Sequence, residues 1–187
     1  TAVDPALFDF IRVPTSFPAH LELTGDWNAY SGPVRFGLDN EAAGSVWLSA
    51  RAVGSWQGIR FDDLQGRYLG GKVAGDLDLS WIDSYQMRGQ LSGRNLELAG
   101  LVEGVTGKTT LDASLELLVP YDEQPLQANL AAVLHEGQFR NHSLQGRAAG
   151  EWLGTRLVNI DVDLSGDGTR LLARGVPAER VDIELNA

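Results

Sequence analysis

Apolar and polar residues alternate with a period of two along most of this 187-residue chain. In the stretch GKVAGDLDLSW, residues 71–81, Val73, Leu77 and Leu79 share one parity with two glycines and a tryptophan, whereas lysine, alanine, aspartate and serine occupy the other. Successive side chains of a β-strand point to opposite faces of a sheet, so this pattern predicts a strand with one buried and one solvated face. The chain is therefore expected to fold predominantly as β-sheet.

The same alternation recurs at near-regular intervals. Further strands are predicted at residues 21–27, 33–38, 45–50, 86–93, 110–117, 125–132, 143–152, 159–166 and 181–186. Turn-forming sequences are recognised at 30–33 (YSGP), 38–44 (LDNEAAG), 82–85 (IDSY), 92–95 (SGRN) and 165–168 (SGDG). Together they predict an all-β fold of roughly ten to twelve strands. A helical signal occurs only in a lead-in segment of residues 1–19, where Asp4 and Pro5 precede residues 6–12.

One ten-residue phrase occurs twice. RAVGSWQGIR at 51–60 returns as RAAGEWLGTR at 147–156, 96 positions later (147 − 51), and DLQG at 63–66 returns as DLSG at 163–166. Another glycine follows nine residues after the last residue of each of these four-residue sequences, at Gly75 and Gly175. The echoed units are therefore residues 51–75 and 147–175. The repeat predicts that residues 1–187 form one repetitive β segment. Because the chain begins with threonine and not methionine, this segment is expected to belong to a longer protein.

In both copies a glycine lies two positions before and two positions after the tryptophan. An indole can cover the bare backbone of glycines on the same face of a sheet. The indoles of Trp56 and Trp152 are therefore predicted to point to the same side, each over its flanking glycines. Their expected role is packing and not ligand contact.

Composition excludes several classes of function. With 15 basic and 25 acidic residues the chain has a formal net charge of −10, so it lacks the basic footprint that nucleic-acid binding requires. It contains no cysteine, which excludes disulfides and zinc–thiolate sites. No stretch reaches the ~20 apolar residues of a membrane-spanning helix.

The chain contains residues that could act in catalysis or metal binding, but they do not have the spacing of the known catalytic and metal-binding motifs. The sequence NIDVDLSGDG at 159–168 resembles the start of a calcium loop, but Leu172 stands where that loop needs a bidentate glutamate. The histidines, His20, His135 and His142, form no HExxH pattern, and neither GxSxG nor a phosphate-binding glycine loop occurs. We expect no enzymatic activity, no cofactor and no metal site.

Because many strands carry one apolar face and almost no helix is predicted to cover it, the sheet must cover itself. It could do so as a β-sandwich or barrel, or as an elongated curled sheet whose apolar face lines a groove. Periodicity alone leaves these alternatives open.

The phrase GxWxGxR, the DLxG sequence and residues 70–98, GGKVAGDLDLSWIDSYQMRGQLSGRNLEL, resemble the AsmA-like / TamB family of Gram-negative bacteria. The resemblance extends over about residues 20–180. It implies a long curled sheet, or β-taco, with a concave apolar groove that spans the periplasm, in a parent protein anchored in the inner membrane. It also implies phospholipid transport towards the outer membrane, outer-membrane biogenesis, and autotransporter and outer-membrane protein assembly with a barrel partner of the TamA type. No catalytic residue is implied.

Under this interpretation the groove would shield phospholipid acyl chains. The candidate lining residues are Leu21, Leu23, Val34, Phe36, Val73, Leu77, Leu79, Trp81, Leu91, Leu111, Leu115, Leu117, Leu130 and Val162. Two other hypotheses remain at this point. The chain could be a β-sandwich binding or structural module, or its sheet edge could bind nascent outer-membrane protein strands by β-augmentation.

Overall fold

A computed structural model of the protein describes residues 19–40, 44–97, 106–139, 142–177 and 180–186. These residues form thirteen strands: β1 (Ala19–Leu21), β2 (Thr24–Gly25), β3 (Tyr30–Asn40), β4 (Gly44–Ser55), β5 (Gly58–Tyr68), β6 (Gly71–Ser80), β7 (Ser84–Glu97), β8 (Lys108–Pro120), β9 (Gln127–Phe139), β10 (His142–Leu153), β11 (Arg156–Gly166), β12 (Thr169–Val176) and β13 (Arg180–Asn186). No helix occurs within these ranges. The helix predicted at residues 6–12 lies outside the described residues.

All thirteen strands belong to one antiparallel sheet with the order β1-β3-β4-β5-β6-β7-β8-β9-β10-β11-β12-β13, and β2 also pairs with β3. From β3 onwards each strand therefore pairs with the next along the chain. The substantial packing contacts lie between strands that are adjacent in the sheet. Among the described residues the sheet is not closed and no second sheet covers it. The predicted all-β elongated curled sheet is therefore confirmed, and the β-sandwich alternative is wrong.

The most tightly packed part of the sheet is at its N-terminal end. Val34 on β3 is 1% exposed and Ala52 on β4 is 0% exposed. The rings of Phe36 on β3 and Phe61 on β5 meet edge to face, with centroids 5.4 Å apart, although their strands are ~10 Å apart. Phe36 lies opposite Leu48 and Phe61 lies opposite Ala52 on β4, and the rings can meet because the residue between these two positions on the same face is the small Ala50. The sheet is thus curled over its apolar side here, and a small core forms without a second layer.

β-Bulges interrupt the alternation but keep the apolar residues on one face. Between β5 and β6 the register shifts from Phe61 to Leu64, with Asp63 at φ 54°. The extra residue lets two apolar positions that are three apart face the same way. The freed Asp63 N–H donates to Asp76 Oδ1 at 3.1 Å.

The repeated phrase corresponds to two hairpins, β4–β5 and β10–β11. Arg51 lies opposite Asp62 in the first, and Arg147 lies opposite Asp163 in the second. The turns differ, because the first hairpin turns at residues 56–57 and the second at residues 154–155. Relative to the phrase, the second hairpin turns two residues later, so its tryptophan falls in a strand.

This difference makes the prediction for Trp56 wrong. Trp56 lies in the turn and is 48% exposed. Gly54 is covered instead by Tyr30, since a Cβ on Gly54 would lie 2.8 Å from the phenol oxygen. For Trp152 the prediction holds at one flank, because a Cβ on Gly150 would lie 2.7 Å from the indole.

Two of the predicted turns are wrong. YSGP at 30–33 begins β3, and SGRN at 92–95 lies inside β7, where Asn95 occupies a bulge at φ 56°. The turns in IDSY and SGDG are confirmed at residues 82–83 and 167–168. The predicted strand at 21–27 is broken into β1 and β2, and neither β5 nor β12 was predicted.

Candidate functional site

One face of the sheet is built from apolar residues and glycine in register from strand to strand. Register partners lie on the same face, so a row can be followed across the sheet. The row through Leu115 runs from β4 to β13 as Ala52, Phe61, Leu77, Gly89, Leu115, Leu130, Gly150, Ile160, Gly175 and Val181. It contains no charged or hydrogen-bonding side chain.

Three further rows run parallel to this one. On one side lie Ile59, Leu79, Met87, Leu117, Ala128, Trp152 and Leu157. On the other side lie Leu64, Gly75, Leu91, Ala113, Ala132, Ala148, Val162, Ala173 and Ile183. Beyond them lie Gly66, Val73, Gly93, Leu111, Leu134, Gly146, Leu164, Leu171 and Leu185. We call these four rows the apolar face.

The apolar face is large and open. Beyond the core on β3 to β5, where Ala52 and Phe61 are buried, the rows on β6 to β13 form a surface of ~20 Å along the strands and ~34 Å across them, with ~6.7 Å between rows and ~4.8 Å between strands. Its side chains are not covered by another layer, and Leu91 is 39%, Leu130 43% and Ile183 68% exposed. A contiguous exposed apolar surface of this size marks an interaction site.

Most of the predicted lining residues lie on this face. Leu21 pairs with Val34, and both extend the face towards the N-terminal edge together with Phe36. Val73, Leu77, Leu79, Leu91, Leu111, Leu115, Leu117, Leu130 and Val162 lie in the four rows. Leu23 and Trp81 do not lie in strands. Leu23 follows β1, with its Cα next to Gly32, and Trp81 follows β6 at the end of the sheet.

Sequence reasoning missed several residues of the apolar face, among them Leu48, Ile59, Phe61, Met87 and Ile160. Phe61 was hidden by the bulge at Asp63, which breaks the period of two. The other missed residues can be recognised once the strand register is known, because each pairs with a residue that was predicted to line the face. Met87, for example, pairs with Leu79 and Leu117.

The opposite face carries the charges. One row alternates in sign from β5 to β8, as Arg60, Asp78, Arg88 and Glu116. This row borders a shallow depression of about 530 Å³. Opposite charges on neighbouring strands compensate one another there, and we find no convergent set of groups for a ligand in that depression. We call this side the polar face.

The carboxylates of the calcium-like sequence are engaged in ion pairs on the polar face. Arg170 donates to Asp163 from Nε at 2.9 Å and from Nη2 at 2.7 Å, and Arg174 Nε lies 3.0 Å from Asp161 Oδ1. The hydrogen bonds and charge of Arg170 hold the pKa of Asp163 below its usual value, and Asp163 raises the pKa of Arg170 in return. Within the described ranges no group of three or more His, Asp or Glu residues could hold a metal ion.

Two histidines bind aspartates on the same side of the molecule. His135 Nε2 lies 2.6 Å from Asp112 Oδ2, and His142 Nδ1 lies 2.9 Å from Asp167 Oδ2. The hydroxyl of Ser143 also donates to Asp167, at 2.6 Å. The hydrogen bonds of Ser143 and His142 hold the pKa of Asp167 below its usual value. In this arrangement Ser143 bonds the carboxylate and not an imidazole, so it is not an activated nucleophile.

Comparison of the chain with protein-family models, curated proteins and solved structures finds no match. Among the residues that the structure describes, none forms a helix of the length and apolarity needed to cross a membrane. The open apolar face is thus the feature on which a functional conclusion can be based.

Proposed function

We propose that the apolar face binds the acyl chains of phospholipids and shields them from water. The observation that carries this proposal is the uninterrupted run of four apolar rows from β5 to β11, on a sheet that no second layer covers in the part of the chain that the structure describes. Burial of acyl chains is favourable by ~0.8 kcal/mol per CH₂ group. The face is wide enough for chains that span half of a hydrocarbon core, ~15 Å.

The surroundings of the face suit such a ligand. A charged side chain among the rows would be costly beside acyl chains, by ~2 kcal/mol or more, and the rows contain none. The polar face holds charged rows such as that of Arg60 and Asp78. With its net charge of −10 the chain is not attracted to an anionic bilayer surface, which suits a protein that carries lipid between membranes.

In its cellular context we propose that the chain is a periplasmic part of an AsmA-like / TamB-type protein. The parent protein would be anchored in the inner membrane of a Gram-negative bacterium and work with an outer-membrane barrel of the TamA type. Its roles would be phospholipid transport, outer-membrane biogenesis, and assembly of autotransporters and other outer-membrane proteins. The open curled sheet and the repeated hairpins support this proposal.

A second candidate function is binding of nascent outer-membrane protein strands. It is favoured by the edge strand β13, where Ile183 is 68% and Leu185 69% exposed. An extended strand that paired with β13 would continue three of the apolar rows, those that end at Val181, Ile183 and Leu185. This function uses an edge, whereas lipid binding uses the face, so the two can be tested separately.

The test is photo-crosslinking at neighbouring positions of β8. A photoreactive residue replaces Leu117 on the apolar face or Glu116 on the polar face, and a second pair is Leu79 and Asp78 on β6. Each variant of the intact protein is irradiated with isotopically labelled phospholipid. We expect capture of lipid at Leu117 and Leu79 and none at Glu116 and Asp78. Equal capture at both members of each pair, or none at any position, would overturn the proposal.

A further inference from the structure

Aromatic side chains line one long edge of the sheet, where several strands begin or end. They are Trp27 after β2, Trp56 in the β4–β5 turn, Trp81 after β6, Tyr85 at the start of β7 and Tyr121 after β8. Tyr85 lies opposite Val119, two residues beyond the pair of Met87 and Leu117 on the apolar face. The aromatic residues therefore border the apolar face, and we call them the aromatic rim.

Hydrogen bonds tie the rim together from turn to turn. The Trp56 N–H donates to Trp27 O at 3.0 Å, and the Trp81 indole N–H donates to Trp56 O at 2.7 Å. The Tyr121 hydroxyl donates to Trp81 O, and its ring meets the Tyr85 ring edge to face at 5.0 Å. These bonds link the main chain of the rim from turn to turn, and they hold the side chains of Trp81, Tyr85 and Tyr121 in place.

The rings of the rim remain accessible. Trp27 is 77%, Trp56 48%, Tyr85 50% and Tyr121 53% exposed. Tryptophan and tyrosine have an apolar body and a polar tip, and they concentrate where hydrocarbon meets the polar region of lipids. A row of them beside an apolar face has the arrangement expected at the boundary between acyl chains and headgroups.

The charges at the rim favour one type of headgroup. Residues 26–29, 55–58, 80–85 and 119–126 include Asp26, Asp83, Asp122 and Glu123 but no lysine or arginine. Burial and the neighbours Tyr85 and Asp83 raise the pKa of Tyr121, so its phenol remains neutral. Aromatic faces and carboxylates together attract cations, including quaternary ammonium groups.

The opposite ends of the same strands have the reverse character. Arg67, Lys72 and Arg94 lie directly opposite one another on β5, β6 and β7. A headgroup held mainly through its phosphate would be attracted to this basic row and not to the aromatic rim. The two ends of the strands therefore predict opposite orientations of a bound lipid, which an experiment can distinguish.

We propose that the aromatic rim holds the headgroup of a phospholipid bound to the apolar face, and that it selects headgroups with an ammonium group, of the ethanolamine or choline type. This inference rests on the proposed lipid-binding function. The acyl chains extend from the rim along the strands, across the four rows. The ammonium group lies against the aromatic rings and next to carboxylates. Tyr121 and its charged neighbour Asp83 are one such pair.

The test uses two phosphatidylethanolamine probes, one with a diazirine in the headgroup and one with a diazirine at the end of an acyl chain. Crosslinked peptides of the intact protein are mapped by mass spectrometry. We expect the headgroup probe to label residues around Trp81 and Tyr121, and the acyl probe to label the apolar face. Unlabelled phosphatidylcholine is expected to compete at least about threefold better than phosphatidylglycerol, in line with the strength of a cation–π contact.

The outcomes distinguish failure of the rim proposal alone from failure of the proposed lipid-binding function. If the acyl probe labels the apolar face but the headgroup probe labels the end near Lys72, the rim proposal is overturned and the proposed function stands. If neither probe labels the apolar face, both are overturned. Headgroup labelling at the rim without acyl labelling of the face would mean that the edge only touches a lipid surface, which also contradicts both.

Variants of the rim provide a further arm. Trp56→Leu and Tyr85→Leu retain the main-chain hydrogen bonds of the rim, and Trp47→Leu removes a 53% exposed tryptophan from the polar face as a matched control. We expect labelling by the headgroup probe to fall about threefold to tenfold in Trp56→Leu and Tyr85→Leu, while labelling by the acyl probe is retained. In Trp47→Leu neither probe should label differently from the unsubstituted protein. Equal loss in all three would contradict a specific role of the rim.

Discussion

Leu115 on β8 lies directly opposite Leu130 on β9, and the two side chains occupy the middle of a row that carries no charge from Ala52 to Val181. Leu130 is nevertheless 43% exposed. In a protein whose apolar residues served only to form a core, such a pair would be covered. Here the sheet presents it to whatever binds the face.

A charge placed on this open face should impair binding much more than folding. In Leu115→Arg the guanidinium can remain partly in water, so we expect the free energy of unfolding to fall by about 1 kcal/mol or less. Lipid capture at Leu117 should be lost, because a cation is costly among acyl chains. Thermal unfolding and photo-crosslinking measure the two effects. Ser114→Arg, on the polar face of the same strand, is the control and should change neither; unfolding of Leu115→Arg would indicate a covered face.

The N-terminal end of the sheet should behave as a true core. Phe61 is 7% exposed and packs against Phe36, so Phe61→Ala should lower the free energy of unfolding by ~3 kcal/mol or more. Trp47→Ala should change it by less than ~0.5 kcal/mol, since that side chain lies on the surface. Denaturant unfolding of both variants provides the comparison. Similar values for the two would refute the assignment of the core.

The two tryptophans of the repeated phrase should contribute unequally to stability. Trp152 covers Gly150, whereas Trp56 lies in a turn and Tyr30 covers Gly54. We expect Trp152→Ala to cost at least ~1 kcal/mol more in the free energy of unfolding than Trp56→Ala. Chemical denaturation under identical conditions measures this difference. Equal costs would mean that the two hairpins are equivalent after all.

The ion pair of Asp163 and Arg170 predicts a defined dependence on pH. Because the pKa of Asp163 is lower in the folded protein, its contribution to stability is complete above the usual carboxyl pKa and is lost as pH falls through the lowered value. Arg170→Gln should raise the pKa of Asp163, which carboxyl NMR titration can follow. Arg88→Gln, next to Glu116, is the control and should leave the titration of Asp163 unchanged.

The period of two was sufficient to predict the sheet and most of the apolar face. From Leu111 to Leu117 the alternation is regular, and β8 follows it without interruption. It failed where bulges change the phase, as at Asp63, so that Phe61 was not assigned to the face. Turn chemistry also misled at SGRN, because Asn95 uses its positive φ for a bulge inside β7 and not for a turn.

Two further errors have causes that a sequence does not display. Pro33 lies inside β3. It is tolerated there because it faces the gap between β1 and β2, where no strand partner needs the N–H that proline lacks. Trp56 occupies a turn because the first hairpin closes two residues earlier relative to its phrase than the second. The position of Pro33 in a strand and the position of Trp56 in a turn both depend on how neighbouring strands pair, and that pairing is determined by the whole sheet.

Lipid acyl chains are expected to occupy the apolar face from β6 to β13, beyond the core at the N-terminal end of the sheet. The most direct measurement is methyl NMR of the leucine-labelled, 20.2 kDa chain with a phospholipid that carries a spin label on its acyl chain. Leu118 and Leu172 lie on the polar face, opposite Gln127 and Asp163, and serve as internal controls. We predict strong broadening of the methyl signals of Leu77, Leu115 and Leu164, with little effect on the two controls. Equal broadening of both faces, or broadening confined to Leu185 at the edge strand, would contradict the binding of acyl chains to the apolar face.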